Sequence, residues 1–145
     1  MTDFEAAYAL WVALGTLGVA QYAAVANGLW GIVVLRRWPN ATKVCSALIV
    51  VGAFAWFFIS EDRNQPDTGY GLDGVEQARW FAVAATASLL VQIGVSSIVN
   101  HRWGASHGWD PTEERWPPAG LAWLERTTFA RALAARMRAV FGGSR

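Results

Sequence analysis

Charge is scarce in this chain, and it is nearly absent from long stretches. Asp, Glu, Lys and Arg make up only 16% of the 145 residues, and three runs, Phe4 to Leu35, Val44 to Ser60 and Trp80 to Val99, contain just one of them, Glu5. Cysteine is limited to Cys45, which excludes a disulfide framework; a lone Cys inside an apolar run reads as packing filler rather than a reactive thiol. Histidine is limited to His101 and His107. Two axial haem ligands ordinarily come from facing helices, so this chain alone is not expected to build a bis-His site. His101, where the third run ends, is the one candidate cofactor ligand, shared with a partner, beside the plainer reading of an interfacial side chain. The sequence requires no cofactor and identifies none. No nucleotide loop, nucleophile elbow or paired catalytic carboxylate occurs in the runs, so no enzyme is expected.

What is present is apolar length. A hydrocarbon core of roughly 30 Å needs about 20 residues of helix, and all three runs approach or exceed that. The expected fold class is an all-α integral membrane protein with three transmembrane helices and an amphipathic C-terminal helix. Residues 1–103 form the membrane domain, with spans at about 8–35, 43–60 and 78–101 and a loop at 61–77. The leader Met1-Thr2-Asp3-Phe4-Glu5 is acidic where an export signal is basic, so the first span is expected to be retained. Trp11 and Trp30 would lie ~28 Å apart on one straight helix, matching two aromatic belts, with Arg36 and Arg37 closing the span.

Trp38-Pro39-Asn40-Ala41-Thr42-Lys43 reads as a tight turn, with Asn40 or Thr42 capping the second helix. That helix ends in the aromatic group Trp56-Phe57-Phe58. The loop that follows carries five acids without the spacing of a calcium site and reads as solvated; Asp73 could cap a helix starting near Gly74.

Charge also orients the chain. The N-terminus and the second loop carry Arg63 and Arg79 against seven acids, 2 − 7 = −5. The other side carries Arg36, Arg37, Lys43 and seven later Arg against four acids, 10 − 4 = +6. Lys and Arg of short loops stay cytoplasmic, so the N-terminus is expected outside and the C-terminus inside a bacterial inner (plasma) membrane.

Residues 104–145 read as a cytoplasmic tail with a short helix at about 111–116 and a basic amphipathic helix at about 118–141. On the latter, Phe129, Leu133 and Met137 share an arc, while Arg131 and Arg138 point away and Arg136 lies at its border. With Arg126, these residues are the candidates for docking on anionic lipid head groups or on a partner subunit. Nucleic acid is not an expected partner.

The spans also carry small and polar residues. Ala20, Ala24 and Gly28 line one stripe of the first helix, beside Gln21 and Asn27; Ala85, Ser88, Gln92 and Ser96 align on the third. Small residues let helix backbones approach in lipid, so both stripes read as packing faces. A proton or ion path would need a titratable member at membrane depth, and none is present. The leading expectation is a non-catalytic accessory or scaffolding subunit whose packing faces meet other transmembrane subunits. The alternatives are a small homo-oligomeric channel or transporter lined by Gln21, Asn27 and Gln92, and a haem- or pigment-holding subunit of a respiratory or photosynthetic assembly using His101.

Overall fold

The computed structural model describes residues 3–59, 74–106 and 121–141. All regular structure among them is helical. Three helices, α1 (Asp3–Ala26), α2 (Pro39–Ile59) and α3 (Gly74–Val99), are long and apolar enough to cross a membrane. Two shorter ones follow, α4 (His101–Ser106) and α5 (Phe129–Phe141), the latter preceded by a 3-10 turn at Ala122–Glu125. The start of α3 at Gly74 agrees with the sequence; the Asp73 cap, His107, the proposed 111–116 helix and most of the 61–77 loop lie outside the described residues.

The first helix stops at Ala26, not at Leu35. Gly28 adopts φ +69°, a left-handed conformation that a side chain would strain. Its N–H donates to Val25 O at 3.3 Å, and the N–H of Leu29 donates to Ala24 O at 2.9 Å. This is the Schellman arrangement, which satisfies the last carbonyls of a helix and turns the chain aside. Asn27 Nδ2 holds a further end carbonyl, Ala23 O, at 2.8 Å. Gly28 is therefore a helix stop rather than a member of a packing stripe. Beyond it the apolar run doubles back through a 3-10 turn, Trp30–Ile32, and Val33 is fully buried against Ala24 and Val25. Trp30 packs on this small core instead of marking the far end of a straight span.

α2 begins one turn earlier than the sequence suggests. Pro39 occupies its first helical position, where the missing N–H costs nothing, and the N–H of Thr42 makes an early helical bond, to Trp38 O at 2.9 Å.

α1 is the central helix: it packs on both α2 and α3, which hardly touch each other. The pairing with α2 is antiparallel and close, since a Cβ on Gly18 would lie 2.6 Å from Val50 Cγ2 and 2.8 Å from Ser46 O. The pairing with α3 is parallel, and Ser88 Oγ donates to Ala13 O at 2.8 Å. Ala24, Ser88, Gln92 and Ser96 are buried, and Ala20 and Ala85 half-buried. The small-residue faces are thus spent largely inside this chain.

The C-terminal helix is shorter than its sequence pattern suggests. It starts at Phe129, and the residues before it, Thr127 and Thr128, are almost wholly buried together with Leu124. They wedge onto two glycines. A Cβ on Gly31 would collide with Thr127 O, and one on Gly104 would lie 3.2 Å from Thr128 Cγ2 and 3.3 Å from Thr128 N. The described tail therefore docks on its own bundle.

Candidate functional site

A polar bracket holds the chain where it leaves α1. Backbone that is not helical cannot satisfy its own N–H and C=O groups, and in lipid each orphan costs several kcal/mol (roughly 2–7). The side chains of the spans supply the partners. Gln21 Nε2 donates to Ile32 O at 3.0 Å, and Gln21 Oε1 accepts from the N–H of Val34 at 3.1 Å. Gln92 Nε2 reaches the same Ile32 oxygen at 3.3 Å, and Asn100 Nδ2 donates to Val33 O at 2.7 Å. Thr42 Oγ1 lies 3.0 Å from both Leu35 O and Trp38 O. Two of the residues read as possible pore lining, Gln21 and Gln92, thus grip the loop's backbone, and the third, Asn27, caps its own helix. Gln92 is only half used: its Oε1 is buried without a partner.

The same end receives the tail. Ser97 Oγ, on α3, accepts from the N–H of Ala130 at 3.3 Å, capping α5 from a neighbouring helix. Thr128 stands where a cap would come from within α5, yet its own Oγ1 is buried without a hydrogen bond. Of the candidate docking residues, Arg126, Leu133, Arg136, Met137 and Arg138 are exposed, while Phe129 and Arg131 are half-buried. The Cδ of Arg131 lies 3.4 Å from where a Cβ on Gly104 would stand. Ala132 faces the bundle and is 3% exposed, against 47% for Leu133, so α5 turns its alanine side inward and its large apolar side chains outward.

The opposite end of α1 is aromatic. Trp11 stacks on Phe57 with ring centroids 4.8 Å apart and meets Phe54 edge-on at 5.1 Å and Phe58 at 5.7 Å. Tyr8 and Phe4 extend the cluster to Phe57, each at 6.2 Å. Because α2 and α3 diverge, an apolar groove of about 370 Å³ opens along α1 from this cluster. Its floor is Trp11, Gly15, Thr16 and Val19, and its walls are Phe54 of α2 and Phe81 of α3. A Cβ on Gly15 would meet nothing within 4 Å.

A second hollow, of about 380 Å³, lies beyond the ends of α1 and α3 and is lined by Trp30, Arg36, Trp103 and Glu125. The Arg36 guanidinium carbon sits 4.4 Å from the centroid of the Trp103 ring. Burial lowers the Arg36 pKa from its usual value, but guanidinium remains protonated in proteins.

His101 opens α4 and is exposed; among the described residues no group of three His, Cys, Asp or Glu is placed to hold a metal. Cys45 is exposed on the outer face of α2, not packed inside as the sequence suggested. Sequence reasoning passed over Ser97, Asn100 and the Thr127-Thr128 wedge. A signal for each existed: two polar residues closing an apolar run, and a Thr pair ahead of Phe129, a favoured composition for a helix start. Comparison with family models, curated proteins and solved structures finds no match to this chain.

Proposed function

We propose that this chain is a non-catalytic accessory subunit that holds a transmembrane helix of a larger membrane complex in the groove between α2 and α3. The open floor at Gly15 carries the reading. Where lipid is as apolar as Leu, helices associate through close backbone approach and shape, and a glycine flanked by aromatic walls offers both. The occupant that fits is an apolar helix of a partner subunit carrying a large side chain opposite Gly15. The channel alternative loses its proposed lining, since Gln21, Gln92 and Asn27 are engaged with backbone carbonyls of this chain.

In this reading the basic end, with Arg36, Arg37, Lys43 and the tail, faces the cytoplasm of a bacterial inner membrane. α5 then acts as an amphipathic arm. Its outward Leu133, Met137 and Phe141 enter the acyl boundary, and Arg126 and Arg138 meet anionic head groups at about 1 kcal/mol each.

The test is purification in mild detergent of the full chain and two variants. A Cβ at Gly15 or at Gly52 meets nothing within 4 Å, but only Gly15 lies in the groove. A partner polypeptide retained by the natural chain and by Gly52→Leu, and lost with Gly15→Leu, is the expected result. A monomer with no companion, or equal retention by both variants, overturns the proposal.

A further inference from the structure

The hollow beyond α1 and α3 combines features that neither the groove nor the polar bracket accounts for. Four segments converge on it: the 3-10 turn after α1 gives Trp30, the link to α2 gives Arg36, α4 gives Trp103 and the 3-10 turn before α5 gives Glu125. One cation and one anion face the same space, between two indoles. The Nε of Arg36 is buried and has no hydrogen-bond partner, so part of its donor set is unspent within the chain. At about 380 Å³, the hollow lies within the ~300–1,000 Å³ common for small-ligand sites. It sits just past the last residues of two apolar helices, at the depth where aromatic side chains and head groups meet.

We propose that this hollow binds the zwitterionic head group of a phosphoethanolamine lipid, independently of any partner in the groove. Guanidinium offers a planar fork that matches two phosphate oxygens, so Arg36 takes the phosphodiester. The ammonium, a short ethylene link away, donates to the Glu125 carboxylate beside the indole of Trp30. A purely anionic head group satisfies Arg36 but brings no cation to Glu125. A choline head group has no N–H to donate to Glu125 and so forgoes the charge-assisted bond. The carboxylate is therefore the selective element, and the guanidinium supplies affinity.

Native mass spectrometry of the full chain, loaded from an equimolar mixture of dioleoyl phosphatidylethanolamine, phosphatidylglycerol and phosphatidylcholine, tests this. One charge-assisted bond corresponds to about a tenfold preference, so the ethanolamine lipid is expected to exceed each of the others on the order of tenfold. Glu125→Gln should bring it down to the level of phosphatidylglycerol, and Arg36→Gln should weaken both. Arg36→Lys, which keeps the charge, should restore part of the binding with the tail still protected from trypsin. That separates ligand loss from undocking. Equal ratios in the natural chain and Glu125→Gln, or a preference for phosphatidylglycerol, overturn the proposal. Soluble glycerophosphoethanolamine in millimolar excess should leave the lipid bound; displacement would assign the hollow to a free solute and overturn the lipid.

Discussion

The two ends of α1 are built from different materials. Toward its N-terminus, α1 and α2 are joined by ring packing, with Trp11 among Phe54, Phe57 and Phe58, and the backbone on both sides is regular helix. Toward its C-terminus, Gln21, Thr42, Gln92 and Asn100 hold backbone atoms of residues 32–38, which are not α-helical. A helix in lipid satisfies its own backbone and needs only shape from its neighbours. A chain that leaves the helix there needs donors and acceptors brought to it. Polar side chains within apolar spans mark the departure.

The wedge between tail and loop offers the sharpest way to break the polar end. Val at Gly31 would place its Cβ on the Thr127 carbonyl, and two backbones cannot be eased apart as a side chain can rotate. Overpacking typically costs 1–3 kcal/mol, and this contact belongs at or above the top of that range. We expect Gly31→Val to release the tail while leaving the aromatic end unchanged. Limited trypsin digestion at Arg126 and Arg131 should then run about a hundredfold faster, the factor that ~3 kcal/mol implies for a transiently opened segment. Unchanged cleavage would mean that the tail's hold does not depend on this contact.

A matched pair weighs one end against the other. Gln21→Leu strands the N–H of Val34 and leaves Ile32 O only the longer bond from Gln92, for a loss of about 2 kcal/mol, each unsatisfied group being worth ~1–3. Trp11→Leu keeps an apolar group facing other apolar groups and loses its pairs with Phe54, Phe57 and Phe58, each worth ~0.5–1.5 kcal/mol and together less than their sum because one ring serves all three. In a soluble protein the truncated tryptophan would be the larger loss. Here the two losses should come close to equal, because lipid removes the hydrophobic term from helix association. Unfolding free energies measured in bilayers or bicelles decide it, and a Trp11→Leu loss well above that of Gln21→Leu would point to an aqueous core.

The same contrast explains what could be read in advance. The three spans and the start of α3 near Gly74 were legible because apolar length and loop composition encode them directly. The end of α1 was not, although Asn27-Gly28 is a recognised stop signal, because hydropathy continues unbroken through Leu29-Trp30-Gly31-Ile32-Val33-Val34-Leu35 and says nothing about chain direction. Gln21 and Gln92 were visible as polar residues among apolar ones. Their partners were not, since those are backbone atoms on a loop whose fold the sequence pattern does not reveal. The tail's boundary was missed for a related reason: the Thr pair ahead of Phe129 has the composition of a helix start, but it also fits inside a helical pattern, and it is the burial against Gly31 and Gly104 that fixes the bend.

The smallest effect has the least intuitive sign. Thr128 is fully buried, and its hydroxyl has no hydrogen-bond partner, while the capping bond to Ala130 comes from Ser97. Val has nearly the shape of Thr without the polar atom. Removing an unsatisfied buried hydroxyl relieves a desolvation cost of ~1–3 kcal/mol, whereas removing a satisfied one incurs it. Thr128→Val should therefore be neutral or stabilise tail docking by up to about 1 kcal/mol. Ser97→Ala should move the other way by about 0.5–1 kcal/mol, the ordinary value of one hydrogen bond. Tryptic half-lives of the tail read both, and a clear loss of protection in Thr128→Val would show that its hydroxyl is satisfied after all, making the polar end richer than the bonds described above.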